Sequence, residues 1–294
     1  MGLYRTEAIV LRAQPLGEAD RLLTLLSREG GKVRAVARGA RRARSRLMAG
    51  TQPFTHASLL LLKGRELDTV SQCEIRNAFG GIQADLERTA WASCAVELVD
   101  AALEETGGQE AGTGPGEVFS LLLSALGLLS RGEGSADAVW LAFALRLLSL
   151  LGYRPRLEAC AACERTPAGD GEDSLYFSPA LGGVLCERCR AQDPAATRLS
   201  RGGLMAARQL LEGDMARSGQ VRLGPVLRGE LEALLEGHLA RHLDRRLRSL
   251  EFVRAIRTQS GGDGVGGAGK DRRRAQARGG ELPGGEGGPG TVGR

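Results

Sequence analysis

Two patterns of apolar and polar positions divide the chain. Over the first 80 residues apolar side chains tend to alternate with polar ones, as in half-buried strands. Residues 4–13 read as a first strand, with Ala8, Ile9 and Val10 at its centre. Gly17-Glu18-Ala19-Asp20 turns the chain into a second strand, Arg21 to Ser27. Gly30-Gly31 then makes a tight hairpin into a third, Lys32 to Arg38. Residues 53–62 give a fourth strand, whose buried part is Ser58-Leu59-Leu60-Leu61-Leu62. Lys63-Gly64-Arg65 turns into a fifth, Leu67 to Ile75. Five short strands with no helix between each pair predict a small closed antiparallel barrel. An OB-fold fits that count, and an SH3-like barrel is the alternative that pattern alone does not separate.

From Ile82 the step changes to four. Leu86, Ala90, Cys94, Leu98 and Ala102 share one helical face, and the helix is expected to stop before Gly107-Gly108. Glu117–Ser130 and Ala136–Leu150 are Leu-rich helices, and Gly152 and Pro155 close that run. After a cysteine-bearing stretch, helix returns over Ser200–Glu212 and over 226–257. Leu231, Leu235, Leu239, Leu243, Leu247 and Leu250 form one stripe on the last of these. The expected fold is therefore multi-domain α and β. A small antiparallel β-barrel over residues 1–80, of OB or SH3-like type, precedes an α-helical domain (81–258) with an inserted four-cysteine zinc finger at about 158–192. Residues 259–294 differ in kind. Of the 34 residues from Gly261 onward, 14 are glycine, and so few apolar side chains predict a disordered tail. Within it, Gly264-Val265-Gly266-Gly267-Ala268-Gly269-Lys270-Asp271 imitates a P-loop. Asp271 stands where a Mg²⁺-binding Ser or Thr belongs, so no nucleotide site is read there.

Charge sharpens this picture. Residues 1–80 hold 14 basic and 7 acidic side chains, whereas residues 81–160 hold 5 and 11. Lys32, Arg34, Arg38, Arg41, Arg42, Arg44 and Arg46 crowd together, and no acid lies between Glu29 and Glu66. A strand edge leading into a purely cationic loop is a surface for phosphates, and these seven residues are the candidate nucleic-acid contacts. On this pattern Lys32, Arg34 and Arg38 all face solvent, and Gly39–Gly50 buries nothing. The bland alternative is a solvated charged face. Tyr4 and Phe54 are the only aromatics before Phe79, so binding by base stacking is not expected to lead.

Cys160-Ala161-Ala162-Cys163 and Cys186-Glu187-Arg188-Cys189 are two C-x2-C pairs. Each offers two thiolates from one tight knuckle, and together they close a tetrahedron around one structural Zn²⁺, leaving no position for catalytic water. The stretch 166–174 reads as an insertion between the knuckles. Cys73 and Cys94 read as buried fillers. His238 and His242 lie four apart without the glutamate of a zinc protease, and are read as surface or satisfied positions. No nucleophile, catalytic triad or carboxylate pair stands out, so no catalytic residue is assigned. No segment is long and apolar enough for a membrane span, and the N-terminus lacks signal-peptide form. A cytoplasmic, nucleoid-associated protein with reduced cysteines is expected.

Several stretches carry a resemblance. They are Gly17-Glu18-Ala19-Asp20-Arg21, Gly31-Lys32-Val33, Ala37-Arg38-Gly39-Ala40-Arg41-Arg42, Gln52-Pro53-Phe54, Gly64-Arg65-Glu66-Leu67 and Leu145-Arg146-Leu147-Leu148 running on to Gly152-Tyr153, Pro155 and Cys160. In this order they resemble the RecO family of bacterial DNA repair proteins over about residues 1–257. The resemblance implies a recombination mediator that binds single- and double-stranded DNA and anneals complementary strands. It implies work with RecR to load RecA onto strands covered by single-stranded-DNA-binding protein, in the pathway named for RecF. It implies an N-terminal OB-fold followed by an α-helical domain that carries a zinc finger in some members; no membrane and no small-molecule substrate are expected. The rival readings are a zinc-containing RNA-binding protein and a nuclease whose site the sequence does not reveal.

Overall fold

The computed structural model describes residues 2–104, 114–166, 174–243 and 245–262. Residues 1–256 form one compact unit. The second unit, 257–294, is described only as far as Gly262. The N-terminal strands are β1 (Leu3–Leu16), β2 (Asp20–Ser27), β3 (Gly31–Ala37), β4 (His56–Leu62) and β5 (Asp68–Asn77). They close a barrel in the order β1-β2-β3-β5-β4. Every neighbouring pair is antiparallel except β3 and β5, which meet in parallel at Ala35↔Asp68 and Val36↔Thr69. That five-stranded closure is the OB-fold, which decides between the two barrels the sequence left open.

Inside the barrel, alternate residues point inward: Ala8 and Val10 from β1, Leu23 and Leu25 from β2, Ala35 and Ala37 from β3, Leu59 and Leu61 from β4. The intervening Ile9 and Leu11 are also buried, because they point outward into the helical layer with Leu26 and Phe54. A strand buried on both faces loses its alternation, which is why Ala8-Ile9-Val10-Leu11 reads as a continuous apolar run.

The helices follow as α1 (Gly80–Gln83), α2 (Leu86–Ala102), α3 (Pro115–Arg131) and α4 (Ala136–Leu150). The Asp85 side chain accepts from Arg88 N at 2.9 Å and starts α2 afresh, so the helix expected from Ile82 is two. Trp91 and Trp140 stack at 5.8 Å in a core that also holds Phe119 and Phe143. The cysteine-bearing module is a three-stranded sheet of β6 (Leu175–Ser178), β7 (Gly183–Cys186) and β8 (Thr197–Leu199), in the order β7-β6-β8. Residues 167–173, most of the expected insertion, lie outside the described residues.

Three further helices complete the described chain: α5 (Arg201–Glu212), α6 (Pro225–His242) and α7 (Arg248–Gly262). The single helix expected over 226–257 is therefore two, one ending at His242 and the next starting at Arg248. The break has a cause in α2. Glu97 accepts from the backbone N–H groups of Arg248 and Ser249 at 3.1 and 2.8 Å, and so caps α7 in the way an N-cap side chain does. The leucine stripe survives the break, with Leu231, Leu235, Leu239 and Leu247 all buried. The remaining expectations for the tail, its disorder and its P-loop mimic, fall on residues 263–294, outside the described residues.

Candidate nucleic-acid interface and metal centre

The segment between β3 and β4 carries the arginines, and the barrel holds it at both ends. Asp20 accepts from Gly39 N at 2.7 Å, and Ala19 O accepts from Arg41 N at 2.8 Å. Further along, Arg21 donates to Met48 O at 3.0 Å and to Thr51 Oγ1 at 2.9 Å. Successive turns, Arg42 N to Gly39 O, Ser45 N to Arg42 O and Met48 N to Ser45 O, coil the chain between these anchors. The expectation that Gly39–Gly50 buries nothing is overturned. Ala40 is fully buried, Leu47 packs against the barrel core, and Gly50 abuts the Cys73 thiol so closely that a Cβ would clash. The cause is the sheet beneath, which the segment covers as a lid. Burial in turn pushes the Cys73 thiol up to about 11, in keeping with a filler, and Cys94 is fully buried in the helical core.

Arg38, Arg41, Arg42, Arg44 and Arg46 are all exposed on this lid. Arg41 donates to Gly17 O at 3.0 Å, and none of the five has a carboxylate partner among the described residues. Arg34 lies on the outer face of β3, half-buried. Lys32 is placed otherwise than the sequence suggested. It leaves the barrel on the outer face, but α2 covers that face, and only 12% of the side chain is exposed. Its Nζ lies 2.9 Å from Asp100 Oδ1 and donates to the carbonyls of Asp100 and Leu103 at 2.7 and 3.1 Å, at the C-terminal end of α2. A cation there meets the negative end of the helix dipole as well as a carboxylate. Alternation placed Lys32 on the correct face, but nothing in it revealed that a helix lies across that face.

Asp100 itself had no sequence signal. Arg12 on β1 and Arg245 ahead of α7 reach its Oδ2 at 2.6 and 3.0 Å. Burial pushes this carboxyl up, but the hydrogen bonds from Lys32 and Arg245 outweigh burial and hold it below the usual carboxylate range.

The four predicted cysteines do come together. Cys160 and Cys163 lie on a turn ahead of β6, Cys186 ends β7, and Cys189 sits in the 3-10 turn Glu187–Gln192. All four Sγ atoms lie within 4.8 Å of one another. Cys163 and Cys186 are 3.9 Å apart, far too long for a disulfide and close to the roughly 3.8 Å edge of a tetrahedron with 2.3 Å metal–sulfur bonds. The donor set fits a thiophilic ion. Burial disfavours the Cys160 thiolate, yet N–H groups from Cys186, Ala162 and Cys163 aim at its sulfur and bring it down to about 6. Burial and the neighbouring thiols push Cys189 up to about 12. Four thiols this close cannot all ionise without a cation among them. Among the described residues no other His, Cys, Asp or Glu group gathers in this way.

The histidines carry no such site. His238 is buried, with its Nε2–H donating to Tyr153 O at 2.8 Å, and His242 stacks on the Tyr153 ring at 4.1 Å.

With this geometry in hand, comparison with known proteins is decisive. The family model described as recombination protein O N terminal matches residues 1–79, and recombination protein O C terminal matches residues 83–251. The chain belongs to the RecO family. The seam between the two RecO models falls at the short helix α1, and the cysteine module lies within the second. The DNA repair protein RecO of Symbiobacterium thermophilum is 43% identical over 258 residues, covering 88% of this chain and 99% of its own length. The RecO of Moorella thermoacetica is 39% identical over 280 residues, covering 95% and 99%. That of Pelotomaculum thermopropionicum is 39% identical, covering 90% and 99%. Membership places the protein in DNA repair and recombination. No described helix is long and apolar enough to cross a membrane.

Proposed function

We propose that the protein is a non-enzymatic recombination mediator of the cytoplasm and nucleoid. Its barrel binds single- and double-stranded DNA and brings complementary strands together. With RecR it helps load RecA onto strands covered by single-stranded-DNA-binding protein, alongside RecF. One Zn²⁺ held by Cys160, Cys163, Cys186 and Cys189 fixes the module between α4 and α5. In this reading DNA meets Arg38, Arg41, Arg42, Arg44 and Arg46, with Arg34 beside them. Lys32 leaves the contact set and serves as the joint to α2.

The observation that carries this reading is the lid of five exposed arginines without carboxylate partners among the described residues. Like charges held together on an anchored surface repel one another, and an anion relieves that repulsion. Among the barrel's aromatics, Phe54 is buried and the Tyr4 hydroxyl donates to Asp68, so contact is electrostatic and indifferent to sequence. Each phosphate neutralised on a single strand contributes about −0.7 to the log–log salt slope. Replacing Arg38, Arg41 and Arg42 together by Ala in the full chain is expected to flatten the slope by about two units and weaken both DNA forms. Wild-type affinity and slope in that variant would sink the assignment of this face. Degradation of DNA with Mg²⁺ by the purified protein would sink the non-enzymatic reading.

A further inference from the structure

A second basic site lies at the other end of β3. It is a cleft of about 660 Å³ where the first residues of β1, the β2–β3 hairpin and the β4–β5 loop face one another. Its size is that of a ligand pocket. Arg5, Lys63 and Arg65 stand exposed around it, and none has a carboxylate partner among the described residues.

The acids in the cleft are mostly committed to the protein. Asp68 accepts from Gly64 N at 2.9 Å and from the Tyr4 hydroxyl. Glu29 accepts from Thr6 Oγ1 at 2.5 Å. Hydrogen bonding fixes these two carboxylates in place without discharging them, and Glu66 is the third acid of the lining.

The cleft is built, with its cations on an anchored frame. Lys63 N donates to Gly2 O at 2.9 Å. A Cβ on Gly64 would lie 1.8 Å from Leu67 O, so only glycine permits this loop. The edge of β1 adds main-chain donors. Pairing with β2 begins at Ala8↔Ser27, and Glu7 O accepts from Arg28 N on that side. By the alternation of an antiparallel strand, Leu3 and Arg5 turn their N–H and C=O groups the same way, toward the cleft, with no strand opposite.

We propose that this cleft is a second phosphate-binding site, which takes the backbone of a second nucleic-acid strand while the arginine lid holds the first. The proposal rests on the lid being a DNA contact. Arg5, Lys63 and Arg65 stand at one end of β3 and the lid at the other, about 20 Å apart at 3.3 Å per residue with Arg34 between them, so one strand on each leaves both backbones screened by one barrel. Annealing needs that condition, since two unscreened phosphate chains repel. An acidic peptide laid along the β1 edge is the competing occupant. The cleft itself favours phosphate, because Arg5, Arg34, Lys63 and Arg65 line it, whereas Lys32, also in the lining, is engaged by Asp100.

The test uses the full chain and a fluorescent single strand of about eight nucleotides, within the footprint of one OB-fold. Binding stoichiometry and the annealing rate of complementary strands are read for three proteins. They are wild type, Arg5→Ala/Lys63→Ala/Arg65→Ala, and Arg38→Ala/Arg41→Ala/Arg42→Ala, each checked for folding by circular dichroism. Wild type is expected to bind two oligonucleotides and each variant one, with annealing by the cleft variant down about tenfold. A cleft variant that still binds two and anneals normally overturns the proposal. So does a wild type that binds only one. A lid variant that keeps both oligonucleotides counts against the lid and leaves the cleft to be judged by its own variant. If poly-glutamate binds wild type but not the cleft variant, while both still bind two oligonucleotides, the cleft belongs to an acidic chain and the proposal falls.

Discussion

Asp100 shows how much one residue holds when three chain segments converge on it. Its carboxylate is the common partner of Arg12, Lys32 and Arg245, and only 8% of its side chain is exposed. Removing one member of a buried ion-pair cluster leaves the others uncompensated, at a cost of about 3–5 kcal/mol when burial is complete. Arg12 and Arg245 are 42% and 47% exposed and can rehydrate, so Asp100→Asn is expected to destabilise by about 2–3 kcal/mol, less than that full cost. A shift below about 1 kcal/mol in urea denaturation would show the cluster to be incidental. His238 sets a second residue-scale expectation. Burial holds its pKa below the usual histidine value, the bond to Tyr153 O only partly opposing, and Nδ1 is buried without a partner. The unfolded chain therefore binds a proton that the folded chain resists. Stability is full above the unfolded value of about 6.5 and is lost as pH falls from there toward the folded pKa. Denaturation midpoints should fall as pH is lowered from about 8 to about 5.5, and less so in His238→Leu. Equal slopes in the two proteins would remove His238 as the cause.

Elements differ in how far sequence reveals them, and the difference follows from where their determinants lie. The barrel strands and α3, α4 and α5 were legible because their signals are local: alternation in the strands and leucine-rich helical runs bounded by glycine and proline. The thiolate cluster was legible because two short C-x2-C spacings bring most of its geometry with them. The break between α6 and α7 was not, because its cap is Glu97, contributed by α2 from 151 residues away. The anchored arginine lid was hidden for the same reason. Its charges are plain in the sequence, but its anchors, Asp20 and Arg21, read only as part of a turn and a strand. For the cysteine module the expectation is direct. Cys163 is the exposed member of the set, so Cys163→Ser should fold poorly only through loss of the ion, since site formation contributes folding free energy. Metal content by atomic absorption should drop and the chain should melt earlier. Full metal retention would dispose of this ligand set.

Across the whole molecule, the barrel is an OB-fold that does not finish its own core. Ile9, Leu11, Leu26 and Phe54 point out of the barrel and are buried only because α2, α3 and their neighbours cover them. Around this apolar seam Arg28 lies over the Phe119 ring at 4.4 Å, His56 meets the same ring at 5.6 Å, and Lys32 and Arg12 reach Asp100. Each of the four apolar side chains contributes about 2 kcal/mol when removed from water, a sum comparable with the net stability of a small domain. A fragment of residues 1–80 exposes all four together and leaves Lys32 and Arg12 without their carboxylate. It is expected to bind a hydrophobic dye, to self-associate, and to unfold well below the full chain. In the full chain, barrel and helices should be lost in one transition, because the seam makes each part of the other's core. A monomeric fragment with the full chain's melting temperature would show that the seam adds nothing, and that the barrel presents its cations without help from the helices. The same coupling bears on function. On the proposed function, the lid follows the end of β3 and the cleft opens against its first residues, and Lys32 fixes β3 to the end of α2, so Asp100→Asn should disturb DNA affinity and annealing only as far as it loosens that joint. Stability and annealing rate measured on the same variant decide this: annealing should recover when the protein is assayed at a temperature where the variant is fully folded.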